Sequence, residues 1–146
     1  MDREAGAIAP GEILLGKYCV EHVLGQGGMG VVIAARHIDL SELFAIKLML
    51  SQALTNTEAI DRFLREARAS ARLKGEHVAK VHDVGRLPTG ELYMVMEHLV
   101  GSDLSMLLRR EGPMPVEQAV LLVLQACDAL AEAPPPFLSD GIDCRA

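Results

Sequence analysis

Apolar positions in the first hundred residues mostly have the short, β-branched character of strands. Five such segments end at glycine or in turn-forming residues; they are residues 18–24, 31–38, 43–50, 78–84 and 92–97. The Pro-Thr-Gly sequence at residues 88–90 predicts a tight turn between the last two strands.

One interval between these strands has a helical period instead. Apolar residues recur every three or four positions from Ile60 to Ala71, which predicts an amphipathic helix over residues 58–73. Thr55 and Glu58 have the spacing of a capping box at its start.

Two more helices are predicted after the last strand, over residues 103–110 and 116–133. Pro115 suits the beginning of the second one. That helix is apolar around most of its circumference, so we expect its surface to self-associate or to bind a protein partner.

The order of these elements predicts an α+β fold, in which one helix packs on a five-stranded antiparallel sheet. The predicted organisation is a flexible leader (1–12), a sheet-and-helix unit (13–100), a pair of helices (101–133) and an aberrant tail (134–146) that begins with three prolines.

Composition excludes several classes of protein. Half of the 146 residues are hydrophobic, which is too many for a disordered chain, and the net charge of −6 argues against nucleic-acid binding. The three cysteines lie far apart and the five histidines show no metal-ligand spacing, so we expect no metal site and a reducing, cytoplasmic setting. No secretory signal or membrane-spanning segment is predicted.

The strongest chemical signal is the sequence Leu-Gly-Gln-Gly-Gly-Met-Gly-Val-Val at residues 24–32. Gly25, Gly27 and Gly30 fit G-x-G-x-x-G-x-V, and glycine lets a backbone turn sharply and approach a ligand closely. The β-branched residues that follow indicate a loop between strands, unlike a dinucleotide fingerprint that opens a helix. No Gly-Lys-Ser or Gly-Lys-Thr occurs, which excludes a P-loop.

Lys47 lies in an apolar strand 17 residues after Gly30. A lysine there costs desolvation free energy unless its ammonium finds a partner. Loop and lysine together predict a clamp for a nucleoside triphosphate. The alternatives are a glycine-rich hairpin that binds nothing and a strand-edge lysine that faces water.

Four features in order carry a family resemblance. They are the glycine loop, the Phe-Ala-Ile-Lys strand, the helix sequence Arg-Phe-Leu-Arg-Glu-Ala, and the last strand running into Gly-Ser-Asp-Leu, at residues 24–32, 44–47, 62–67 and 92–104. In these features the chain resembles the N-terminal half of the bacterial eukaryotic-like (Hanks-type) Ser/Thr protein kinase domain. The resemblance implies that residues 13–100 form the nucleotide-binding N-lobe and residues 101–133 begin the C-lobe.

The resemblance also implies ATP, with Mg²⁺, as the cofactor. Lys47 would contact its α- and β-phosphates, and Glu66 would orient Lys47. Glu66 could instead pair with Arg62 on a solvated helix face. The expected loop contacts with the nucleotide come from Gly25, Gln26, Gly27, Gly28, Met29 and Gly30.

The adenine pocket implied by the resemblance follows the last strand. Met96 would be its gatekeeper, and the backbones of Glu97 and Leu99 would bind the adenine edge. Asp103 could reach the ribose or could cap the next helix. The side chains expected to cover the adenine faces are Leu24, Val32 and Ala45.

The sequence departs from the family after residue 133. It contains neither the catalytic loop H-R-D-x-x-x-x-N nor the metal-binding D-F-G, so it lacks the catalytic aspartate and the metal ligands. We therefore expect this chain to bind ATP without transferring phosphate. The alternatives are a pseudokinase-like interaction module and a truncated or frameshifted gene fragment.

Overall fold

The computed structural model describes residues 8–28 and 30–132. Most of the predicted leader, Met29 and the predicted tail with Ala133 lie outside the described residues. The described residues divide into two compact units: one holds the sheet and the helix up to Ala71, and the other holds residues 72–78 and 100–132.

The first unit is an antiparallel sheet of six strands in the order β1-β2-β3-β4-β6-β5, with one helix. Its elements are β1 (Ile13–Leu14), β2 (Tyr18–Gly27), β3 (Gly30–His37), β4 (Leu43–Met49), α1 (Thr57–Arg72), β5 (Val81–Arg86) and β6 (Leu92–Glu97). The second unit contains α2 (Leu104–Glu111) and α3 (Val116–Ala131). The predicted α+β fold is confirmed; the prediction of five strands missed the two-residue β1.

Strand alternation gives the sheet two different faces. On one face Ile33, Ile46 and Val95 are almost completely buried in an aliphatic core. On the other face Met49 and Met94 pack against Phe63 of α1. Phe63 is 3% exposed, and burying a side chain of that size stabilises the fold by about 1.5–3 kcal/mol. This packing fixes α1 on the same face as Lys47.

The beginning of α1 corrects one prediction. Asn56, not Thr55, caps the helix, because its side-chain oxygen accepts a hydrogen bond from the Ala59 N–H at 3.2 Å. The Thr55 hydroxyl instead donates to the Gln52 carbonyl within the short 3₁₀ helix Ser51–Thr55. The helix therefore begins at Thr57, one residue earlier than predicted.

The fifth strand also differs from its prediction over residues 78–84. Its pairing with β6 continues through Gly85 and Arg86, which lie opposite Tyr93 and Leu92. Backbone pairing does not require apolar side chains, so the strand continues two residues beyond the end of the hydrophobic pattern from which it was predicted. The predicted turn after this strand is present: Gly90 has φ +99° and donates its N–H to the Leu87 carbonyl at 2.8 Å.

Candidate functional site

The glycine loop and the lysine lie in one row across three strands. Gly25 pairs with Val32, and Val32 pairs in turn with Lys47. Residues directly opposite each other in antiparallel strands project from the same face. Gly25 and Val32, on the two strands that lead into and out of the glycine loop, therefore share the face from which the Lys47 side chain rises.

Lys47 is held by α1. Its Nζ donates to both carboxylate oxygens of Glu66, at 2.8 and 2.9 Å, and lies 5.8 Å from the centroid of the Phe63 ring. Arg62 instead lies 3.8 Å from Glu58, so the alternative Glu66–Arg62 pair is not the one that the structure contains. The Lys47 side chain is 22% exposed and that of Glu66 is 47% exposed, so water weakens the pair and its main effect is to orient the ammonium.

The backbone of the loop is open to a ligand. A Cβ added at Gly25, Gly27 or Gly28 would meet no atom within 4 Å, so any larger residue would occupy space that is now empty. Gly30 is different, because a Cβ there would overlap the backbone carbonyl oxygen of Leu48. The first three glycines leave room for a close ligand, whereas the last lets two strands approach each other.

Beneath the loop lies a cleft of about 300 Å³. Its lining combines open backbone with two cationic side chains, which suits an anionic ligand. The lining residues are Gly25, Gln26, Gly27, Gly28, Gly30, Val32, Lys47 and Arg62. Size, charge and backbone access therefore fit the phosphates of a nucleotide.

Two of the predicted adenine residues, Ala45 and Met96, lie further along the same face. Ala45 is buried and pairs with Met96, which is partly buried against the α1 core. Glu97 is fixed by Lys80: its N–H donates to the Lys80 carbonyl, and its carboxylate accepts the Lys80 N–H at 3.2 Å. Leu24 and Leu99 are exposed, so their apolar side chains are accessible.

Asp103 belongs to the second unit, where it caps α2. Its carboxylate accepts a hydrogen bond from the Met106 N–H at 2.8 Å. One of its two predicted roles is therefore present in the structure. A contact with ribose stays a prediction.

Tyr93 lies on the opposite face of the sheet and has a raised pKa. Tyr93 donates to the Asp83 carboxylate at 3.0 Å, and burial, together with this hydrogen bond, raises the pKa of Tyr93. Tyr93 pairs with Leu48, one residue beyond Lys47, and so projects away from the cleft. This shift reports on the core and not on nucleotide chemistry.

The sequence interpretation left Arg62 out of the site. The sequence predicts Arg62 only as an alternative partner for Glu66, whereas in the structure its side chain lines the cleft. The signal for this position is its spacing, because residues four apart in a helix share a face and Glu66 is predicted to face Lys47.

Residues 8–28 and 30–132 contain no group of three or more His, Cys, Asp or Glu side chains that could hold a metal ion. Within the same residues, no helix has the length and apolar character needed to cross a bilayer.

Comparison with known proteins agrees with this geometry. A family model described as protein kinase domain matches residues 18–132. The serine/threonine-protein kinase pkn3 of Myxococcus xanthus is 36% identical over 123 residues, which is 84% of this chain and 22% of the relative. The serine/threonine-protein kinase PknE of Mycobacterium bovis is 37% identical over 118 residues, covering 81% of this chain and 21% of the relative.

Solved structures give the same result. The kinase domain of Mycobacterium tuberculosis PknI superimposes with a TM-score of 0.72 at 29% identity, over 87% of this chain and 52% of that one. The chain thus spans about half of a solved kinase domain and about a fifth of the curated relatives it matches. From its site geometry and these matches, the chain belongs to the protein kinase family and corresponds to part of a bacterial Hanks-type Ser/Thr kinase domain.

Proposed function

We propose that this chain binds ATP with Mg²⁺ in the cleft beneath the glycine loop. One observation carries the proposal: the Lys47 ammonium donates hydrogen bonds to both carboxylate oxygens of Glu66 at the edge of a cleft whose backbone is open to a ligand. Without a partner, a lysine in an apolar strand would be costly, whereas here its ammonium is already oriented toward the space that phosphates would fill.

Each lining group has a specific task in this proposal. The Lys47 ammonium neutralises charge on the α- and β-phosphates, and backbone N–H groups of the glycine loop donate to phosphate oxygens. Glu66 prevents Lys47 from turning into solvent. ATP supplies a transferable γ-phosphoryl group, and Mg²⁺ would accompany its phosphates, although the sequence contains no D-F-G ligand for the metal.

Adenine recognition is proposed for the end of β6. Ala45 and Val32 would cover the ring, Met96 would close the back of the pocket, and the Glu97 and Leu99 backbones would bind the adenine edge. The pairing of Ala45 with Met96 supports this arrangement, because it puts both side chains on the face that carries Lys47.

The relatives are named serine/threonine-protein kinases. For this chain as it stands we propose nucleotide binding without phosphoryl transfer, since its sequence has neither H-R-D-x-x-x-x-N nor D-F-G. A cytoplasmic setting belongs to the same proposal, and the free thiols of Cys19 and Cys127 fit it.

The test is a thermal and chemical melt of the chain with and without Mg-ATP. At about 100 times its dissociation constant, ATP is expected to stabilise the wild type by about 2.7 kcal/mol. The Lys47→Met variant should lose most of this stabilisation, whereas Lys80→Met, at an exposed lysine outside the cleft lining, should keep it. A wild type that melts cooperatively without an ATP shift would refute the proposal.

A second candidate function is a non-catalytic interaction module. It is favoured by α3, none of whose residues is buried. Its exposed apolar residues are Val116, Val120, Leu121, Val123, Leu124 and Leu130, each between 51% and 73% exposed. Self-association or a protein partner would remove this surface from water.

A further inference from the structure

Arg62 is the second cationic side chain in the lining of the cleft. The ammonium of Lys47 is paired with the Glu66 carboxylate at 2.8 Å, so their formal charges sum to zero. Arg62 lines the same cleft from α1, one helical turn before Glu66. Its charge is therefore added to a site in which the lysine is already compensated.

The guanidinium of Arg62 is available to a ligand. Its ion pair with Glu58 is long, at 3.8 Å, and the two side chains are 55% and 85% exposed. An exposed pair of this kind is weak and is readily exchanged for a better anion. A phosphate oxygen is such an anion, because arginine can donate two parallel N–H groups to it.

We propose that Arg62 binds the outermost phosphate of the nucleotide and makes the cleft prefer a nucleoside triphosphate over a diphosphate. This inference rests on the proposed ATP site. Lys47, fixed from the strand, serves the inner phosphates in both nucleotides. Arg62 reaches the cleft on a long side chain from the helix and exchanges its weak pair with Glu58 for a phosphate only when the third phosphate is present.

The experiment measures the dissociation constants of Mg-ATP and Mg-ADP by calorimetry for the wild type and four variants. In Arg62→Gln, ATP affinity is expected to fall about tenfold and ADP affinity to stay within about twofold, so the preference for ATP disappears. Arg65→Gln removes an exposed arginine of the same helix outside the lining set and should keep the wild-type preference.

Two variants separate ligand binding from a structural role of the Glu58 pair. Glu58→Gln breaks that pair and leaves Arg62 in place, so the ATP preference should persist or increase. Arg62→Lys keeps the charge without the planar fork and should restore part of the preference. Added salt should reduce the ATP preference of the wild type and leave that of Arg62→Gln unchanged.

Equal weakening of ATP and ADP in Arg62→Gln, or an unchanged preference, overturns the inference while the ATP site stands. Wild-type chain that binds neither nucleotide overturns both proposals. Arg62→Gln could also lower the melting temperature of the ligand-free chain. In that case the ATP preference of Arg62→Lys and the effect of salt on the wild type test the proposal. A preference for ATP that neither Arg62→Lys nor added salt changes would refute the role of Arg62.

Discussion

The carboxylate of Glu132 accepts a hydrogen bond from the backbone N–H of Gly75 at 2.9 Å. The same oxygen accepts the N–H of Lys74 at 3.0 Å. A Cβ at position 75 would overlap Glu132 Oε1, so a larger residue there would require the end of the Glu132 side chain to shift. Within the second unit, the residue just beyond α3 thus satisfies backbone donors in the segment that follows α1.

Glu132→Ala is therefore expected to expose these two donors to solvent. Charge-assisted hydrogen bonds to a partly exposed carboxylate contribute about 1 kcal/mol, so amide hydrogen exchange of Lys74 and Gly75 should accelerate about fivefold. Asp128→Ala, at an exposed acid of α3, is the control and should leave both exchange rates unchanged. Unchanged exchange in Glu132→Ala would contradict the assignment.

The same substitution should act differently at two glycines of the loop. Gly30→Ala forces a Cβ against the Leu48 carbonyl, so it is expected to reduce the free energy of unfolding by about 2 kcal/mol. Gly27→Ala meets nothing within 4 Å and should change stability by less than about 0.5 kcal/mol, but it should weaken ATP binding because it fills the cleft. Urea unfolding and ATP titration of both variants test this prediction. It is contradicted if Gly27→Ala has the lower free energy of unfolding.

The raised pKa of Tyr93 predicts that the free energy of unfolding decreases at alkaline pH. The folded state raises its pKa above the usual value of about 10, so the folded chain holds the phenolic proton more tightly than the unfolded chain. This contribution to stability is complete below about pH 10 and is lost as pH rises through the raised pKa. Above pH 10 the wild type should lose stability more steeply than Tyr93→Phe in urea unfolding.

Tyrosinate absorbance gives an independent measurement, because the chain has no tryptophan and only two tyrosines. The absorbance step that Tyr93→Phe removes should lie above pH 10 in the folded protein and move down in urea. A step at the ordinary value in the folded protein would contradict both the burial of the Tyr93 phenol and its hydrogen bond to Asp83.

The apolar surface of α3 is expected to make the isolated chain associate with itself. Light scattering should show a mass that rises with concentration, and a dye that fluoresces on apolar surfaces should bind. Replacing Val120 and Leu124 with glutamate should reduce both signals, whereas replacing Gln118 and Gln125 should not. A clean monomer that binds no dye would argue against the interaction-module function.

Periodicity and composition predicted most of this architecture because its longer elements each bury an apolar face. The order of strands and helices and the location of β6 are as expected from the sequence. Strand β1 was missed because two residues, Ile13 and Leu14, are too short to show alternation. Asn56 was missed as the cap because Thr55, one residue earlier, has the same capping chemistry.

The sequence predicted the glycine loop and the lysine of the candidate site but not Arg62. The glycine spacing and the lysine indicated the candidate residues for a phosphate site, and pairing across β2, β3 and β4 places Gly25, Val32 and Lys47 in one row. The four-residue spacing from Glu66 indicates that Arg62 shares its helix face, but whether that face meets the cleft depends on the rotation of α1, which the packing of Phe63 with Met94 sets. Tertiary packing, not local sequence, decides which helical side chains enter the cleft.

The pairing of Val32 with Lys47 has a consequence for how β4 can change in length. Neighbouring residues of a strand point to opposite faces. Ile46 therefore packs in the aliphatic core, whereas Ala45 and Lys47 project from the other face. Insertion of one residue between Ile46 and Lys47 in a regular strand would reverse the faces of the residues on one side of it, so that the ammonium would face the core or the isoleucine would face the cleft. The chemistry of the site therefore depends on the alternation of β4, and a one-residue change there needs a β-bulge, of the kind that β2 contains between Val20 and His22, to keep both sets in place.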